Sequence, residues 1–382
     1  MNSIKKRVVL VCMVNSIHVA RWIEQFPPEE VEFILFPSTP TYASHPKIIE
    51  MQSRNGNISV YPFQGRLGLY LWTLDQFFGN QVRAWFLSRL LKKSTPDFVH
   101  ALEFQHGAYL AELALRQYKV PTTFIATCYG SDIFWFQKFP KHLAKIRRVL
   151  SRADFYSAEC DRDVALATKY GFSGTVLPTI PNAGGIPEEY LLSEITKPAD
   201  RNLILIKGYD SWVGRGSLAI QGLAKSGLDL EAFEIVVYSC ERKTLRAIRK
   251  LPKSVRSKVT VHKKGALPHK AMMEYFARAL VYVGVSESDG ISTSMVEAMS
   301  MGCYPIQTST ACTAEWFNGP NEGQEVHDIN VESIASAIRT GVKAAQSQSV
   351  EAWAERRLQV LERMDNDTIA QVARRFYGDV TD

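Results

Sequence analysis

Apolar residues occur along this chain in short runs, and between the runs they recur every three or four positions. Short apolar runs bounded by polar residues predict buried strands, whereas the longer spacing predicts helices. In the first half, strands are predicted at residues 7–14, 32–36, 98–101, 122–127 and 155–158. Helices are predicted near residues 19–26, 79–93, 108–118, 134–153 and 163–170. This alternation predicts an α/β fold with a parallel sheet that helices cover on both faces.

A polar segment separates this pattern from a second one. Residues 193–202 are mostly polar and contain Pro198. New apolar runs follow at residues 203–206, 235–238, 259–262, 280–285 and 304–307. We therefore predict two doubly wound Rossmann-like domains, at residues 1–195 and 200–350, that face each other across a cleft. Residues 351–382 are predicted to form a helical tail that packs back on the first domain.

Composition narrows the class of protein. The chain has 382 residues, of which 46% are hydrophobic and 22% charged, as in soluble globular proteins with two domains. No apolar run approaches the roughly 18 to 20 residues that a membrane-spanning helix needs. The six cysteines form no C-x-x-C pair, which indicates reduced thiols and a cytoplasmic protein. The net charge of +6 is only weak support for nucleic-acid binding, and we predict no nucleic-acid partner.

The segment at residues 286–308, SESDGISTSMVEAMSMGCYPIQT, carries the clearest candidate chemistry. A glycine after a strand lets backbone approach a ligand, and free N–H groups at the start of the next helix favour a phosphate. Asp289 lies in the loop and Glu297 lies one turn into the helix, so their carboxylates can accept hydrogen bonds from sugar hydroxyls. The predicted donor-binding residues are Gly290, Ile291, Ser292, Thr293, Ser294 and Glu297.

From Asp289 onward, D-G-I-S-T-S-M-V-E-A-M-S-M-G-C-Y-P-I resembles the donor-site signature of glycosyltransferase family 4, whose members have the GT-B fold. Asp289 stands at the first acidic place, where Glu is usual, and Glu297 at the second. The resemblance implies that Glu297 holds the ribose and Asp289 the donor sugar. The alternative is that residues 294–297 form only a capping box on an ordinary helix.

A loop with two cations follows the first strand of the second domain, in the segment I-K-G-Y-D-S-W-V-G-R-G. The resemblance implies that Lys207 and Arg215 lie against the donor diphosphate. Fixed cations there would stabilise the negative charge that gathers on the leaving group, without a metal. The alternative is that both are solvated loop residues.

In the first domain, Thr127-Cys128-Tyr129-Gly130-Ser131-Asp132 resembles the His-Gly-x-Asp motif of the same family, with Tyr129 where His is usual. The resemblance implies a site role for Asp132, whereas its alternative role is to cap the next helix. His18 and His106, which follow two other strands, are acceptor-side candidates together with Tyr129. The first loop contains no G-x-G-x-x-G pattern, which argues against a dinucleotide-binding dehydrogenase.

The resemblance implies a retaining glycosyltransferase that moves a sugar from a nucleotide diphosphate donor to a hydroxyl of a glycan or lipid-linked acceptor. The implied process is envelope polysaccharide synthesis, lipopolysaccharide included, with no cofactor. The alternatives are a catalytically inactive GT-B protein that binds sugar nucleotides and, less favoured, a sugar-nucleotide epimerase. We predict no metal, and we interpret Asp161-Arg162-Asp163 as a helix start rather than as a D-x-D metal site.

Two basic stretches predict contact with an anionic membrane surface. Residues 134–153 contain six basic residues and no acidic one, and residues 85–93 combine aromatic and basic side chains. Basic amphipathic helices with aromatic residues bind anionic lipid. We therefore predict a peripheral location on the inner face of a membrane, with simple solvation of the lysines as the alternative.

Overall fold

The structure is a computed structural model that describes residues 5–378 apart from 183, 193, 194, 318 and 320. It contains two compact units. Unit 1 comprises Met1–Gly185 with Asp367–Asp382, and unit 2 comprises Ile186–Asn366. Two residues of the predicted linker, 193 and 194, lie outside the described residues. Among the described helices, none is both long enough and apolar enough to span a membrane.

Unit 1 contains a parallel sheet with the strand order β3-β2-β1-β4-β5-β6-β7. Its strands are β1 (Lys6–Cys12), β2 (Val31–Pro37), β3 (Ile58–Val60), β4 (Phe98–Leu102), β5 (Thr123–Cys128), β6 (Phe155–Ala158) and β7 (Thr175–Val176). Its helices are α1 (Ile17–Glu24), α2 (Pro46–Arg54), α3 (Gly65–Phe78), α4 (Gln81–Ser94), α5 (Tyr109–Tyr118), α6 (Pro140–Arg152) and α7 (Asp161–Lys169). A π-helical turn, Phe104–Ala108, precedes α5.

Unit 2 repeats the order of the first six strands, as β10-β9-β8-β11-β12-β13, and its described sheet has no counterpart of β7. Its strands are β8 (Leu203–Lys207), β9 (Glu234–Cys240), β10 (Val259–Lys263), β11 (Ala279–Gly284), β12 (Tyr304–Thr308) and β13 (Gln324–Val326). Its helices are α8 (Gly216–Lys225), α9 (Arg242–Ile248), α10 (Lys253–Arg256), α11 (His269–Arg278), α12 (Thr293–Ser300), α13 (Val331–Ser347) and α14 (Val350–Arg363). Helix α15 (Asn366–Arg374) follows, and from Asp367 onward it belongs to unit 1.

The central strands read as continuous apolar runs because both faces of each sheet are covered. In β1 the last five residues are buried, and in β8 the first four are. Burial on both faces removes the alternation of polar and apolar positions that a half-exposed strand would show. The predicted α/β class and the two Rossmann-like sheets are therefore confirmed.

Several elements differ from the prediction. The pattern gave one helix from residue 79 to 93 and missed α2, β3 and α3, which come before it. Helix α3 has apolar residues on its exposed side as well, so its sequence lacks the polar face that marks an amphipathic helix. The predicted basic helix begins at Pro140 rather than at residue 134.

The tail divides between the two units. Helix α14 stays in unit 2, where Trp353 Nε1 and Arg356 Nη2 donate to the Gly302 carbonyl at 2.9 and 3.0 Å. Gly302 has a φ of +82°, and a Cβ there would collide with the Trp353 ring, so this helix end requires glycine. The first unit also ends before residue 195, because the Ile186 N–H already donates to Met364 of unit 2 at 2.9 Å.

The segment after α15 completes the core of unit 1. Tyr377 is buried, and its Oη lies 2.6 Å from His100 Nδ1 and accepts a hydrogen bond from Trp22 Nε1 at 3.1 Å. The other ring nitrogen of His100 lies 2.6 Å from Thr127 Oγ1. A chain of buried polar groups therefore joins the tail to β4, β5 and α1.

His100 should make unit 1 acid-sensitive. Burial lowers the pKa of His100 from 6.5 to about 3, so between these values the unfolded chain binds a proton that the folded chain does not. The stability that His100 contributes is thus complete above pH 6.5 and is lost as the pH falls, at about 1.4 kcal/mol per pH unit. Buried Glu103 has the opposite effect on the pH dependence of stability, because burial raises its pKa from 4.5 to about 7 and the folded chain therefore binds the proton more tightly than the unfolded chain.

We expect His100→Gln to remove this dependence. The difference in unfolding free energy between the native protein and the variant should shrink by about 2 to 3 kcal/mol from pH 6.5 to pH 4.5, measured by urea unfolding. Surface-exposed His327 provides the control His327→Gln. A difference that stays constant with pH would show that His100 is not held neutral.

A second buried polar cluster joins α3, α4 and the end of β2. Arg83 Nε donates to Asp75 Oδ2 at 2.5 Å, and the two side chains are 6% and 0% exposed. Arg83 also donates to the Ser38 carbonyl at 2.6 Å and to Asn80 Oδ1 at 2.9 Å. The pair therefore fixes the position of α3 against the sheet.

Candidate functional site

The predicted donor residues meet at the point in unit 2 where the strand order reverses. Strands β8 and β11 are neighbours there, and ligands of doubly wound sheets bind outside such a pair of carboxyl ends. The loop after β8 pairs with the loop after β11: the Arg215 N–H donates to Val285 at 2.9 Å, and the Glu287 N–H donates to Val213 at 2.8 Å. The two sequence motifs of the second domain thus form one site.

Lys207 ends β8 inside this site. Its burial alone would lower the pKa, but the acidic groups of Tyr282, Asp289, Glu297 and Tyr209 together raise the pKa above its ordinary value. The ammonium group therefore stays charged, within electrostatic reach of both predicted donor carboxylates. Because the ammonium group is already charged and held in place, it can stabilise a bound anion, such as a phosphate, without moving.

Helix α12 begins at Thr293, where the sequence predicted it, and Ser292 is its N-cap. The Ser292 side chain makes no capping bond, and within the described part of the chain its buried hydroxyl oxygen has no hydrogen-bond partner. A capping box would need Ser294 as N-cap, so that alternative is wrong. Just before the helix, the Gly290 N–H donates to Asp289 Oδ1 at 3.0 Å. The helix start thus offers polar groups that a ligand can satisfy.

Glu297 borders a cavity of about 170 Å³ in unit 2. Its Oε1 atom lies 2.8 Å from Nε2 of His269, the first residue of α11. Tyr238 and Phe276 also line the cavity. The sequence pattern did not single out His269, because the two side chains are 28 positions apart. The cavity therefore combines aromatic side chains, against which a base can pack, with a carboxylate that can accept hydrogen bonds from a ribose.

Glu297→Ala should weaken binding of a nucleotide donor strongly. The carboxylate is half-buried and directed at the cavity, and each charge-assisted hydrogen bond that it accepts from a ribose hydroxyl contributes about 1.5 to 3 kcal/mol. Isothermal titration with the donor should show affinity lowered about 10-fold or more. Glu274→Ala, on the exposed side of α11, is the matched control. Unchanged affinity in folded Glu297→Ala protein would remove Glu297 from the donor site.

Arg215 is held by a partner that the sequence analysis missed. Its Nε donates to Glu287 Oε1 at 2.7 Å, and its Nη1 donates to the carbonyls of Trp212 and Gly214. Glu287 belongs to the same S-E-S-D-G loop as Asp289. These bonds fix the guanidinium beside the S-E-S-D-G loop. A diphosphate bound there would compete with Glu287 for its positive charge.

In unit 1, three of the predicted residues lie near one another at the carboxyl edge of the sheet. The rings of His18 and Tyr129 lie 6.3 Å apart, centre to centre. Asp132 is buried and accepts hydrogen bonds from the N–H groups of Tyr129 and Phe104 at 2.9 and 3.0 Å. Asp132 therefore fixes the loop after β5 against the loop after β4. Burial, followed by the charge of Glu103, raises the pKa of Asp132 well above its ordinary value.

Glu103 is the residue of unit 1 that the sequence analysis missed. It directly follows β4, is 4% exposed, and has a φ of +77°, which is rare for a residue with a side chain. Its carboxylate accepts hydrogen bonds from the N–H groups of His106 and Gly107 at 2.9 and 2.5 Å. Strained backbone of this kind concentrates at functional sites. Its position after a strand end was the signal that could have identified it.

His106 is presented at the surface by this turn. Its backbone is held by Glu103 while its side chain is exposed. Desolvation by the surrounding protein, followed by the charges of Arg83 and His142, lowers the pKa of His106. An unprotonated imidazole nitrogen can accept a hydrogen bond from a hydroxyl group, so the side chain is placed where it can contact a ligand at the sheet edge.

The D-x-D segment starts a helix, as the sequence analysis interpreted it. Asp161 and Asp163 lie in the first turn of α7, and Asp163 is fully buried. Arg162 Nε lies 2.9 Å from Asp163 Oδ1. Asp163 is therefore neutralised within the protein rather than presented to a ligand.

Two parallel doubly wound sheets of the same topology, each with its polar loops at the carboxyl ends of the strands, define the GT-B fold. Residues 7–159 match the family model described as Glycosyl transferase 4-like. The family match and the fold confirm the resemblance to family 4 glycosyltransferases. None of the curated protein sequences matches the chain.

Three solved structures with this fold show how similar the whole chain is to proteins of known structure. HepE of Anabaena, in complex with UDP and glucose, is 12% identical, with a TM-score of 0.68 over 97% of this chain and 99% of that one. Sucrose-phosphate synthase of Thermosynechococcus elongatus is 13% identical, with a TM-score of 0.70 over 98% of both chains. The lipopolysaccharide outer core galactosyltransferase WaaB is 12% identical, with a TM-score of 0.66 over 96% of this chain and 99% of that one.

Proposed function

We propose that the protein is a retaining glycosyltransferase that takes a sugar from a nucleotide diphosphate donor. One observation carries the proposal: charged Lys207 lies with the Asp289 and Glu297 carboxylates at the strand-order reversal of unit 2, beside the start of α12. This set combines a cation for a diphosphate with acceptors for sugar hydroxyls. The structures of HepE with UDP and with UDP-glucose support a donor of this kind.

In the proposed mechanism, each end of the donor has its own partners. Glu297 holds the ribose, and Asp289 with the N–H groups at the start of α12 holds the sugar. Lys207 and Arg215 stabilise the charge that develops on the departing diphosphate. The resemblance supplies no protein nucleophile, so we propose attack by the acceptor hydroxyl on the face that the diphosphate leaves. The leaving phosphate assists by taking the hydroxyl proton.

The acceptor is proposed to be a glycan or lipid-linked hydroxyl of envelope polysaccharide synthesis, bound by unit 1. The edge formed by His18, Tyr129 and the Glu103–His106 turn offers polar and aromatic groups for a sugar. The likeness in fold to WaaB supports an envelope acceptor. We propose that Asp132 and Glu103 act through the loops that they hold in place.

A peripheral position on the cytoplasmic face of a membrane is also part of the proposal. Helix α6 buries Ile146, Val149 and Leu150 and exposes all of its basic residues except half-buried Arg152, which supports an amphipathic interpretation. Helix α3 adds an apolar surface, since its Phe77 is 82% exposed. Its other exposed large hydrophobic side chains are Leu67, Leu69, Tyr70 and Phe78. Apolar side chains beside basic ones suit the interface of an anionic bilayer.

A panel of nucleotide sugars tests the proposed activity. A donor present at 100 times its dissociation constant should add about 2.7 kcal/mol to the stability of the protein, which a thermal shift detects. Donors that bind are then assayed for transfer or hydrolysis, starting with UDP-sugars. Binding without turnover across the panel would favour the alternative, an inactive sugar-nucleotide-binding protein. Absence of binding by any donor would contradict both.

Activity should survive a chelator. Lys207, Arg215 and the start of α12 already provide positive charge for the diphosphate, so the proposed mechanism needs no divalent ion. Turnover in excess EDTA should remain within about twofold of the untreated rate, which is about 0.4 kcal/mol in activation free energy. Loss of activity that Mg²⁺ or Mn²⁺ restores would contradict this metal-independent mechanism.

A further inference from the structure

The positive charge of the protein is concentrated in one segment of unit 2. Residues 242–264 contain ten Lys and Arg residues and no Asp or Glu. The whole chain has 45 basic and 39 acidic residues, so the remainder has 35 basic and 39 acidic ones, a net charge of −4. The net charge of +6 therefore comes entirely from this segment, which we name the basic face.

The basic face comprises α9, α10 and β10, the edge strand of the second sheet. All ten basic residues are exposed, and within the described part of the chain none is seen in an ion pair with a carboxylate. Lys258 donates to the Glu231 carbonyl, and Lys264 lies over the Tyr209 ring. Lysines commonly protect edge strands, but that role accounts only for residues in β10, not for those of α9 and α10.

The basic residues of α6 in unit 1, together with Lys138 just before that helix, are engaged more fully. Lys138 lies 4.1 Å from the Trp135 ring centre, and Lys145 lies 5.3 Å from that of Tyr109. Arg152 is paired with Asp154 at 3.1 Å. Of the two basic regions, the basic face therefore leaves more positive charge without a counter-charge.

A cavity of about 290 Å³ opens between α8 and α9 on this face. Lys243, Arg246 and Lys250 provide three cations in its lining, and Ala224 and Ala247 provide apolar surface. Cations around an apolar floor suit a phosphate group attached to an apolar chain. Nucleic acid suits the face less well, because the segment exposes no large aromatic side chain for stacking on bases.

We propose that the basic face binds the anionic surface of a phospholipid bilayer, with a lipid phosphate seated in the cavity between α8 and α9. Basic clusters near an anionic leaflet bind it electrostatically and release it at high salt. This inference rests on the proposed position at a membrane. The residues that carry the contact are those of the basic face, not those of α3 and α6. It does not depend on the transferase chemistry.

Vesicle co-sedimentation of the full chain tests the proposal. The quadruple variant Lys243→Ser, Arg246→Ser, Lys250→Ser and Lys253→Ser is compared with the matched variant Lys138→Ser, Lys141→Ser, Lys145→Ser and Arg148→Ser. With vesicles containing about one-third phosphatidylglycerol, we expect the basic-face variant to bind at least 10-fold more weakly than the native protein. The variant with the four substitutions at residues 138–148 should lose clearly less affinity for the vesicles. Vesicle binding by the basic-face variant should depend much less on salt than binding by the native protein, whereas the other variant should keep most of that dependence.

A charge-neutral variant tests the cavity by itself. Ala224 lies on the exposed rim, so Ala224→Trp should obstruct the cavity and weaken vesicle binding at least threefold. Circular dichroism and thermal melting establish that each variant is folded, whether or not any donor binds. Three results would overturn the proposal: basic-face substitutions that cost no more than those of α6, equal binding to neutral vesicles, or tighter binding to a DNA oligonucleotide than to anionic vesicles at the same salt.

Discussion

Replacement of Lys207 by methionine is expected to lower turnover at saturating donor by about 100- to 1,000-fold, the usual effect of removing one fixed charge from a developing anion. Methionine keeps the length and apolar volume of the side chain, so the fold around β8 should survive. The half-buried ammonium group lies inside the site, and Tyr282, Asp289 and Glu297 raise its pKa and keep it charged. Its loss should act mainly on the step in which the diphosphate departs.

The experiment is a measurement of kcat and KM for the best donor of the panel. Lys264→Met, an exposed lysine of the same unit, is the matched control and should keep native turnover. A fall confined to kcat identifies stabilisation of the leaving group, because uniform binding would change KM instead. Turnover within a few-fold of the native rate would mean that Lys207 serves only to neutralise its two carboxylate neighbours.

The buried Asp75–Arg83 pair should produce the largest effect on stability. Asp75→Leu or Arg83→Met alone leaves an unpaired buried charge, which should lower the unfolding free energy by about 3 to 5 kcal/mol. The double variant removes both charges but leaves the Ser38 carbonyl and the backbone N–H groups of Val82 and Arg83, which bond to Asp75, without these partners, at about 1 to 3 kcal/mol for each buried group. Urea unfolding should therefore show the double variant to be more stable than Asp75→Leu, which has lost the same backbone hydrogen bonds and also keeps the buried Arg83 charge without its partner.

The exposed Glu50–Arg54 pair provides the control, because a pair in water contributes about 0 to 1 kcal/mol. A double variant less stable than both single variants would contradict the interpretation of Asp75–Arg83 as a compensated buried charge pair. Since the Arg83 charge also lowers the pKa of His106, Arg83→Met should raise that pKa, which NMR titration can detect.

The strands and the donor loop could be predicted from sequence because their signals are local. Strands such as β1 and β8 are buried on both faces, so their successive residues are apolar and the strand is visible in the sequence as an apolar run. The loop from Asp289 to α12 is likewise short, and its glycine, polar and acidic residues follow one another directly. Helix α3 gave no such signal, because its exposed side is apolar as well.

Other features depend on residues that only the fold brings together. Glu287 and Arg215 lie 72 positions apart, and His269 reaches Glu297 from the start of another helix. Glu103 looks in sequence like one acidic residue among many, and its importance lies in burial and in an unusual backbone angle. Pairing, burial and strain are properties of tertiary structure, so a single sequence could not reveal them.

The return of the chain to unit 1 at the start of α15 has a consequence for biosynthesis. Tyr377 occupies the centre of the polar chain that includes His100 and Trp22, yet the ribosome makes it only after all of unit 2. Unit 2 is continuous in sequence and can fold as soon as it emerges from the ribosome. Unit 1 cannot complete its core until Tyr377 is made, and until then Trp22 Nε1 and His100 Nδ1 lack this hydrogen-bond partner. The nascent first unit should therefore be the better chaperone substrate, although it is synthesised first.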